Sequence, residues 1–208
     1  RGKPSWTNYL RGVAAELIAA GIPLTGMDAL ISNTLPLGGG LSSSAAVEMA
    51  TALAFLTLAG TTMDTARMAL IGQQAEHEFV LLPSGIMDQM IVASARAGHV
   101  TLYDCRSGAK QFIPLDDNEL RVVVANTMVK HENSSGEYAR RHDQCQKAVE
   151  FFRKQSPDVR ALRDVTKQQI ESAKGQLDSV LLRRSRHVVS ENQRTLEAAA
   201  ALSAKDYE

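Results

Sequence analysis

The stretch Pro36-Leu37-Gly38-Gly39-Gly40-Leu41-Ser42-Ser43-Ser44-Ala45-Ala46 sets three glycines and three serines in seven positions, and good helix formers follow it up to Gly60. Glycines accept positive φ and carry no Cβ, so backbone amides in such a turn can point at a phosphate. The helix N-terminus adds free N–H groups and a partial positive charge. The serines can cap the helix, or give hydroxyls to phosphate oxygens or a metal ion. The loop is not of the Walker type, because no Lys follows the last glycine, and it lacks the GxGxxG spacing of a dinucleotide site. Two readings stand side by side. One is a flexible turn before a capped helix; the other is an anion site, for which the glycine and serine content exceeds what capping requires.

Upstream of the loop, Asp28 to Leu35 alternates Ala29 and Ile31 against Leu30, predicting a short strand that runs into Pro36. Before it, Trp6, Leu10, Val13, Ala14, Leu17 and Ile18 fall at helical spacing, predicting an amphipathic helix over Trp6 to Ala20, stopped by Gly21 and Pro23. Downstream, helices are predicted over Ser42 to Ala59 and Met63 to Phe79, and Pro83-Ser84-Gly85 breaks the chain before a third starting near Ile86. His99 to Cys105 and Gln111 to Leu115, joined by a turn at Arg106 to Gly108, predict a hairpin. The three valines within Arg121 to Asn126 predict a strand buried on both faces. Asn133 to Gly136 reads as polar loop, Tyr138 to Lys154 as helix, and the rest as helical and polar, most clearly His187 to Ala204. Strands before 127 and helices after 137 predict two lobes, 1–129 and 130–208.

The chain has 208 residues, 44% hydrophobic and 22% charged, which is the composition of a globular protein. Lys plus Arg number 23 and Asp plus Glu 23, so the formal charge is zero, and no global field draws the chain to nucleic acid or an anionic membrane. An anion site has to be local. The nearly uncharged run Met49 to Met63 falls short of the ~20 apolar residues of a membrane span. Cys105 and Cys145 form no CxxC or metal spacing and follow no signal peptide; they predict core thiols in a reduced, cytoplasmic compartment.

A second chemical feature is Gly85-Ile86-Met87-Asp88-Gln89, which puts a carboxylate in the first turns of a helix. The helix dipole favours negative charge there, and such a carboxylate can accept a proton from a hydroxyl nucleophile or simply complement the helix N-terminus. Glu76, near the end of the preceding helix, can be a surface carboxylate or a Mg²⁺ ligand. Spacing alone does not choose between them.

The strings LPLGGGLSSSAA, GIMDQ, HVTLYDCRS and GEYARRHDQC occur in this order, with WTNYLRGV before them and ALRDVT and RHVVSENQRTLEAAAAL after. Together they resemble the galactokinase family, a branch of the GHMP kinases that also include homoserine, mevalonate and phosphomevalonate kinases. LSSSAA marks the wider family, whereas GIMDQ, DCRS and the EY-x-RR-x-x-x-C arrangement mark the branch. The resemblance implies an α+β GHMP-kinase fold: a ribosomal-protein-like N-terminal lobe with a mixed sheet flanked by helices, an α+β C-terminal lobe, and nucleotide between them. It implies ATP-dependent phosphorylation of the anomeric hydroxyl of galactose. Within the branch, the other possibilities are an ATP- and sugar-binding sensor without turnover, or a kinase for N-acetylgalactosamine or arabinose.

Residue by residue, the resemblance implies that Pro36, Gly38, Gly39, Gly40, Leu41, Ser42, Ser43 and Ser44 bind the ATP phosphates, and that Ser44 and Glu76 hold Mg²⁺. Asp88 is implied as the catalytic base or orienting carboxylate, with Gly85 against the sugar and Tyr138 hydrogen-bonded to it. Trp6 resembles the family's aromatic on the adenine side, and equally fits a core position on its helix. The family's opening Gly-Glu-His-x-Asp segment and its late glycine-rich motif have no counterpart here, which predicts an internal fragment of a longer protein. Gly136 stands where the branch commonly has Ser, and Ala139 follows the tyrosine.

Overall fold

The computed structural model describes residues 3, 5–115, 120–128 and 136–207. The chain divides into two compact units, Arg1–Glu132 and Asn133–Glu208. The sequence-predicted boundary at 129/130 lies outside the described residues, as does most of the polar loop predicted over Asn133 to Gly136.

In the first unit, α1 (Thr7–Ala19), α2 (Ser43–Leu58), α3 (Thr65–Ala75) and α4 (Met87–Ser94) pack on one another. Their shared core is built from Val13 and Leu17 of α1, Met49, Ala52 and Leu56 of α2, and Met68, Ile71 and Ala75 of α3. Gly12 lets α1 approach α3 closely, since a Cβ there would lie 2.8 Å from that of Ala75. Asp64 starts α3 by accepting from the amides of Ala66 at 2.8 Å and Arg67 at 3.3 Å. The helix does not continue regularly to Phe79 as its composition predicts. At Glu76 it widens into a π-helical turn, Glu76–Val80, which Leu81 closes in the left-handed conformation at φ 65°.

Strands β1 (His99–Tyr103) and β2 (Lys110–Pro114) form the antiparallel hairpin that the alternation predicts, with Thr101 opposite Phe112. Asp104 shapes its turn by accepting from the Arg106 amide at 2.7 Å and the Ser107 amide at 3.2 Å. Arg96 lies 3.8 Å from the Phe112 ring centroid and covers one face of it.

Four expectations need correction. Asp28 to Leu35 and Arg121 to Asn126 are not strands: the one sheet among the described residues is the hairpin. A strand exists only by pairing, and without it Leu30 is 99% exposed and Val123 85%, the reverse of burial on both faces. Cys105 is no core thiol, because it sits exposed in the hairpin turn, whereas Cys145 is half-buried; both are free. Trp6 is not core either; it is exposed and precedes the first turn of α1.

The second unit joins α5 (Glu137–Gln155), a 3-10 turn at Leu162–Asp164, α6 (Lys167–Ser172) and α7 (Ser179–Ala204) around Val149, Phe152, Leu162 and Ile170. Helix α7 starts at Ser179, within the stretch the sequence predicts as helical, where Asp178 caps it by accepting from the Val180 amide at 2.8 Å and the Leu181 amide at 3.3 Å. Thr166 and Gln169 cap α6 reciprocally.

Candidate active site

The glycine-serine loop needs its glycines for conformational reasons. Gly38 and Gly40 have φ of 71° and 73°, and the Gly39 amide donates to Pro36 O at 3.4 Å. A Cβ on Gly39 would lie 3.3 Å from that of Pro36 and 3.5 Å from Asn126 Nδ2. Ser42 is left-handed as well, at φ 53° and ψ 34°, a conformation costing a non-glycine residue roughly 1–2 kcal/mol. Its side chain makes no capping bond. The first bond of the α2 ladder runs from the Ala46 amide to Ser42 O at 2.9 Å, so the amides of Ser43, Ser44 and Ala45 lie outside the ladder. Capping by Ser42 therefore does not account for the serines, and the turn presents strained backbone with free N–H groups at a helix start.

One turn along α2 lies Glu48, fully buried, on the same helix face as Ser44 by its i,i+4 spacing. Its partners come from α4: Gln89, also fully buried, donates from Nε2 to Glu48 Oε2 at 3.0 Å. Gly72 of α3 leaves room for both, since a Cβ there would lie 3.0 Å from Glu48 Oε2 and 3.1 Å from Gln89 Cγ. Burial, followed by the charge of Glu76, pushes the Glu48 carboxyl up to about 9; Asp88 adds to this, and the Gln89 hydrogen bond opposes it. Glu76 and Asp88 thus both act electrostatically on one buried group, which gathers the ends of α2, α3 and α4 into a single acidic region.

Glu76 is no surface carboxylate, being only 3% exposed. The Ser84 hydroxyl donates to its Oε2. Ser84 O in turn accepts from Gln73 Nε2 at 3.0 Å and lies 2.8 Å from His77 Nε2. The π-turn is what brings Glu76 and His77 onto Ser84 together, and Ser84 immediately precedes Gly85 and the first turn of α4. Asp88 is half-buried in that turn, beside the fixed Gln89. Tyr138 belongs to the second unit, at the start of α5, and is 48% exposed.

The donor chemistry fits Mg²⁺. Ser44 and Glu76 offer a hydroxyl and a buried carboxylate, both hard oxygens, and Mg²⁺ takes only one or two carboxylates, completing its shell with phosphate and water oxygens. No group of three or more His, Cys, Asp or Glu that could hold a metal ion occurs among the described residues.

Sequence reasoning brought out the loop, Glu76, Gly85 and Asp88 but missed the roles of Glu48, Gln89 and Ser84. The available signal for Glu48 was a lone charge in the otherwise uncharged run from Ser42 to Met63, four residues after Ser44. No helix among the described residues is long and apolar enough to cross a membrane.

Residues 8–96 match the family described as GHMP kinases N terminal domain. The galactokinase of Bos taurus is 41% identical over 206 residues, 99% of this chain and 51% of that protein. The galactokinase of Chloroflexus aurantiacus is 43% identical over 201 residues, 97% of this chain and 51% of that protein, and the Homo sapiens galactokinase is 42% identical over 206. The chain spans about half the length of the curated relatives it matches. Its fold matches the crystal structure of Lactococcus lactis galactokinase complexed with galactose, with TM-score 0.81 at 23% identity, over 98% of this chain and 53% of that one.

Proposed function

We propose that the chain belongs to the GHMP kinase family and that the protein carrying it phosphorylates galactose at the anomeric hydroxyl, with ATP as donor. What supports this reading is the strained glycine-serine loop at the start of α2 together with Glu76 and Asp88, whose charges both act on Glu48 one turn along that helix. The galactokinases named above supply the substrate by their similarity.

In this reading Pro36 and the loop from Gly38 to Ser44 hold the phosphates, with the Ser43 and Ser44 amides outside the α2 ladder, and Trp6, exposed, is available to an adenine ring. Ser44 and Glu76 hold Mg²⁺, which when bound neutralises phosphate charge. Ser84 keeps the Glu76 carboxylate in place. Gly85 has no side chain to obstruct the sugar. Asp88 orients the anomeric hydroxyl and takes its proton as the oxygen bonds to the γ-phosphorus and the bond to the ADP oxygen breaks. Catalysis of this kind rests on positioning and charge neutralisation more than on covalent chemistry. The two free thiols fit a reducing cytoplasm, which belongs to the same proposal.

The test is phosphoryl transfer in the full-length protein, with γ-labelled ATP and galactose and the product identified as galactose 1-phosphate by phosphorus NMR. Transfer to galactose is expected. Sugar binding without transfer would overturn the kinase reading in favour of a sensor, and preferred transfer to N-acetylgalactosamine or arabinose would overturn the substrate.

A further inference from the structure

Two oxygens next to the site have no partner. Glu48 Oε1 and Gln89 Oε1 are both fully buried and accept no hydrogen bond, although the other ends of the same two groups are joined by the 3.0 Å bond from Gln89 Nε2 to Glu48 Oε2. Two buried acceptors left bare on groups already joined through their other ends are costly to a fold. A single proton on Glu48 Oε1 removes both defects, because the carboxyl then donates to Gln89 Oε1 while it accepts from Gln89 Nε2. We infer that Glu48 and Gln89 form a reciprocal acid–amide pair, and that this pair is a positioning device which clamps the first turn of α4, and so Asp88, onto α2. The inference rests on the kinase reading only for what Asp88 does.

The surroundings favour the neutral acid. Acidic groups face Glu48 from two sides, Glu76 from the π-turn after α3 and Asp88 from α4, and burial acts in the same direction as both. The α3 backbone closes the third side at Gly72, with no room for a further side chain. Asp88 follows directly from this clamp, since it is the residue before Gln89 in a turn closed by the Met90 amide on Ile86 O at 2.9 Å.

The test compares four forms of the full-length protein: wild type, Glu48→Gln, Gln89→Leu, and the exchange Glu48→Gln with Gln89→Glu. Glu48→Gln can still pair reciprocally, as amide with amide; Gln89→Leu strands the acid; the exchange rebuilds the acid–amide pair with its ends swapped. Infrared difference spectra at neutral pH should show a protonated-carboxyl C=O band in the wild type that Glu48→Gln removes. Hydrogen exchange at the Met90 amide should quicken at least tenfold in Gln89→Leu and return to within about threefold of wild type in Glu48→Gln and in the exchange. The kcat for galactose should follow the Met90 exchange, with KM for ATP unmoved. Absence of the band, or Glu48→Gln loosening Met90 as much as Gln89→Leu does, would overturn the pair. A kcat unchanged while Met90 loosens would overturn its link to Asp88. If the wild type transfers no phosphoryl group, the kinase reading fails, while band and exchange still decide the pair.

Discussion

Asp88 is the residue on which the proposed chemistry turns. Asp88→Asn keeps the size and much of the hydrogen bonding but removes the basicity, so kcat should fall by the ~100-fold to 10,000-fold typical of general-base catalysis, with ATP affinity little changed. A folded variant with near-normal turnover would show that the carboxylate merely complements the α4 N-terminus, a role worth at most ~1 kcal/mol. Ser44→Ala should raise the Mg²⁺ concentration needed for half-maximal rate without altering the circular dichroism spectrum; unchanged metal dependence would remove Ser44 from the ligand set. Glu48 gives a pH signature of its own. Its carboxyl is raised to about 9 in the folded state from an ordinary 4.5, so the folded protein binds a proton that the unfolded chain has released. The stabilisation is complete below about pH 4.5 and is lost as pH rises toward 9. Thermal midpoints taken across that window should fall more steeply in the wild type than in Glu48→Gln, and parallel curves would refute this.

At the scale of elements, close approach of α1 to α3 depends on one hydrogen atom at Gly12. Gly12→Ala puts a methyl group 2.8 Å from the Ala75 Cβ, and should lower stability by about 1–3 kcal/mol in urea unfolding, the cost of overpacking, despite the better helix propensity of alanine. Equal or greater stability would mean that the helices separate freely. Helices were the legible elements here: the apolar spacing of α1 and the breaks at Gly60 and Pro83 act within a few positions of themselves. Segments 28–35 and 121–126 carry an equally good local pattern, yet a strand is a relation between two segments, and nothing in Val122-Val123-Val124 names its partner. The hairpin escaped that difficulty because its two strands are joined by a short turn. The π-turn was illegible for another reason, since Glu76 to Val80 has ordinary helical composition and the wider turn is held by Ser84, eight residues beyond Glu76. Of the candidate site, the loop and Asp88 stood out through local chemistry. The Glu48–Gln89 contact, across a separation of 41 residues, did not.

For the molecule as a whole, the two units have separate cores, one around Leu17 and Leu56 and one around Phe152 and Ile170. The first also carries segments outside any helix or strand with apolar side chains in water: Leu30 at 99% exposure, Leu37 at 78% and Val123 at 85%. Such segments are templates for pairing with another chain. The 208-residue chain by itself should therefore self-associate at micromolar concentration, as light scattering would detect, and Val123→Lys should reduce it. A monodisperse monomer in the wild type would contradict this.

The π-turn at Glu76–Val80 has a consequence for how the chain tolerates changes in its length. A π-turn is an α-helix holding one residue more than its ladder needs, so removing a single residue from 77–80 would restore a regular helix and spare most backbone hydrogen bonds. Each residue in a helix advances about 100° around its axis, so everything beyond the deletion would be swung round by nearly a third of a turn. Ser84 would leave Glu76, and Gly85 would no longer lead into α4 at the same angle. A deletion that looks harmless, even tidy, by helix propensity would thus dismantle the site, whereas an insertion in the exposed hairpin turn at Arg106–Gly108 would leave it alone. Length between Gln73 and Asp88 is constrained as tightly as residue identity.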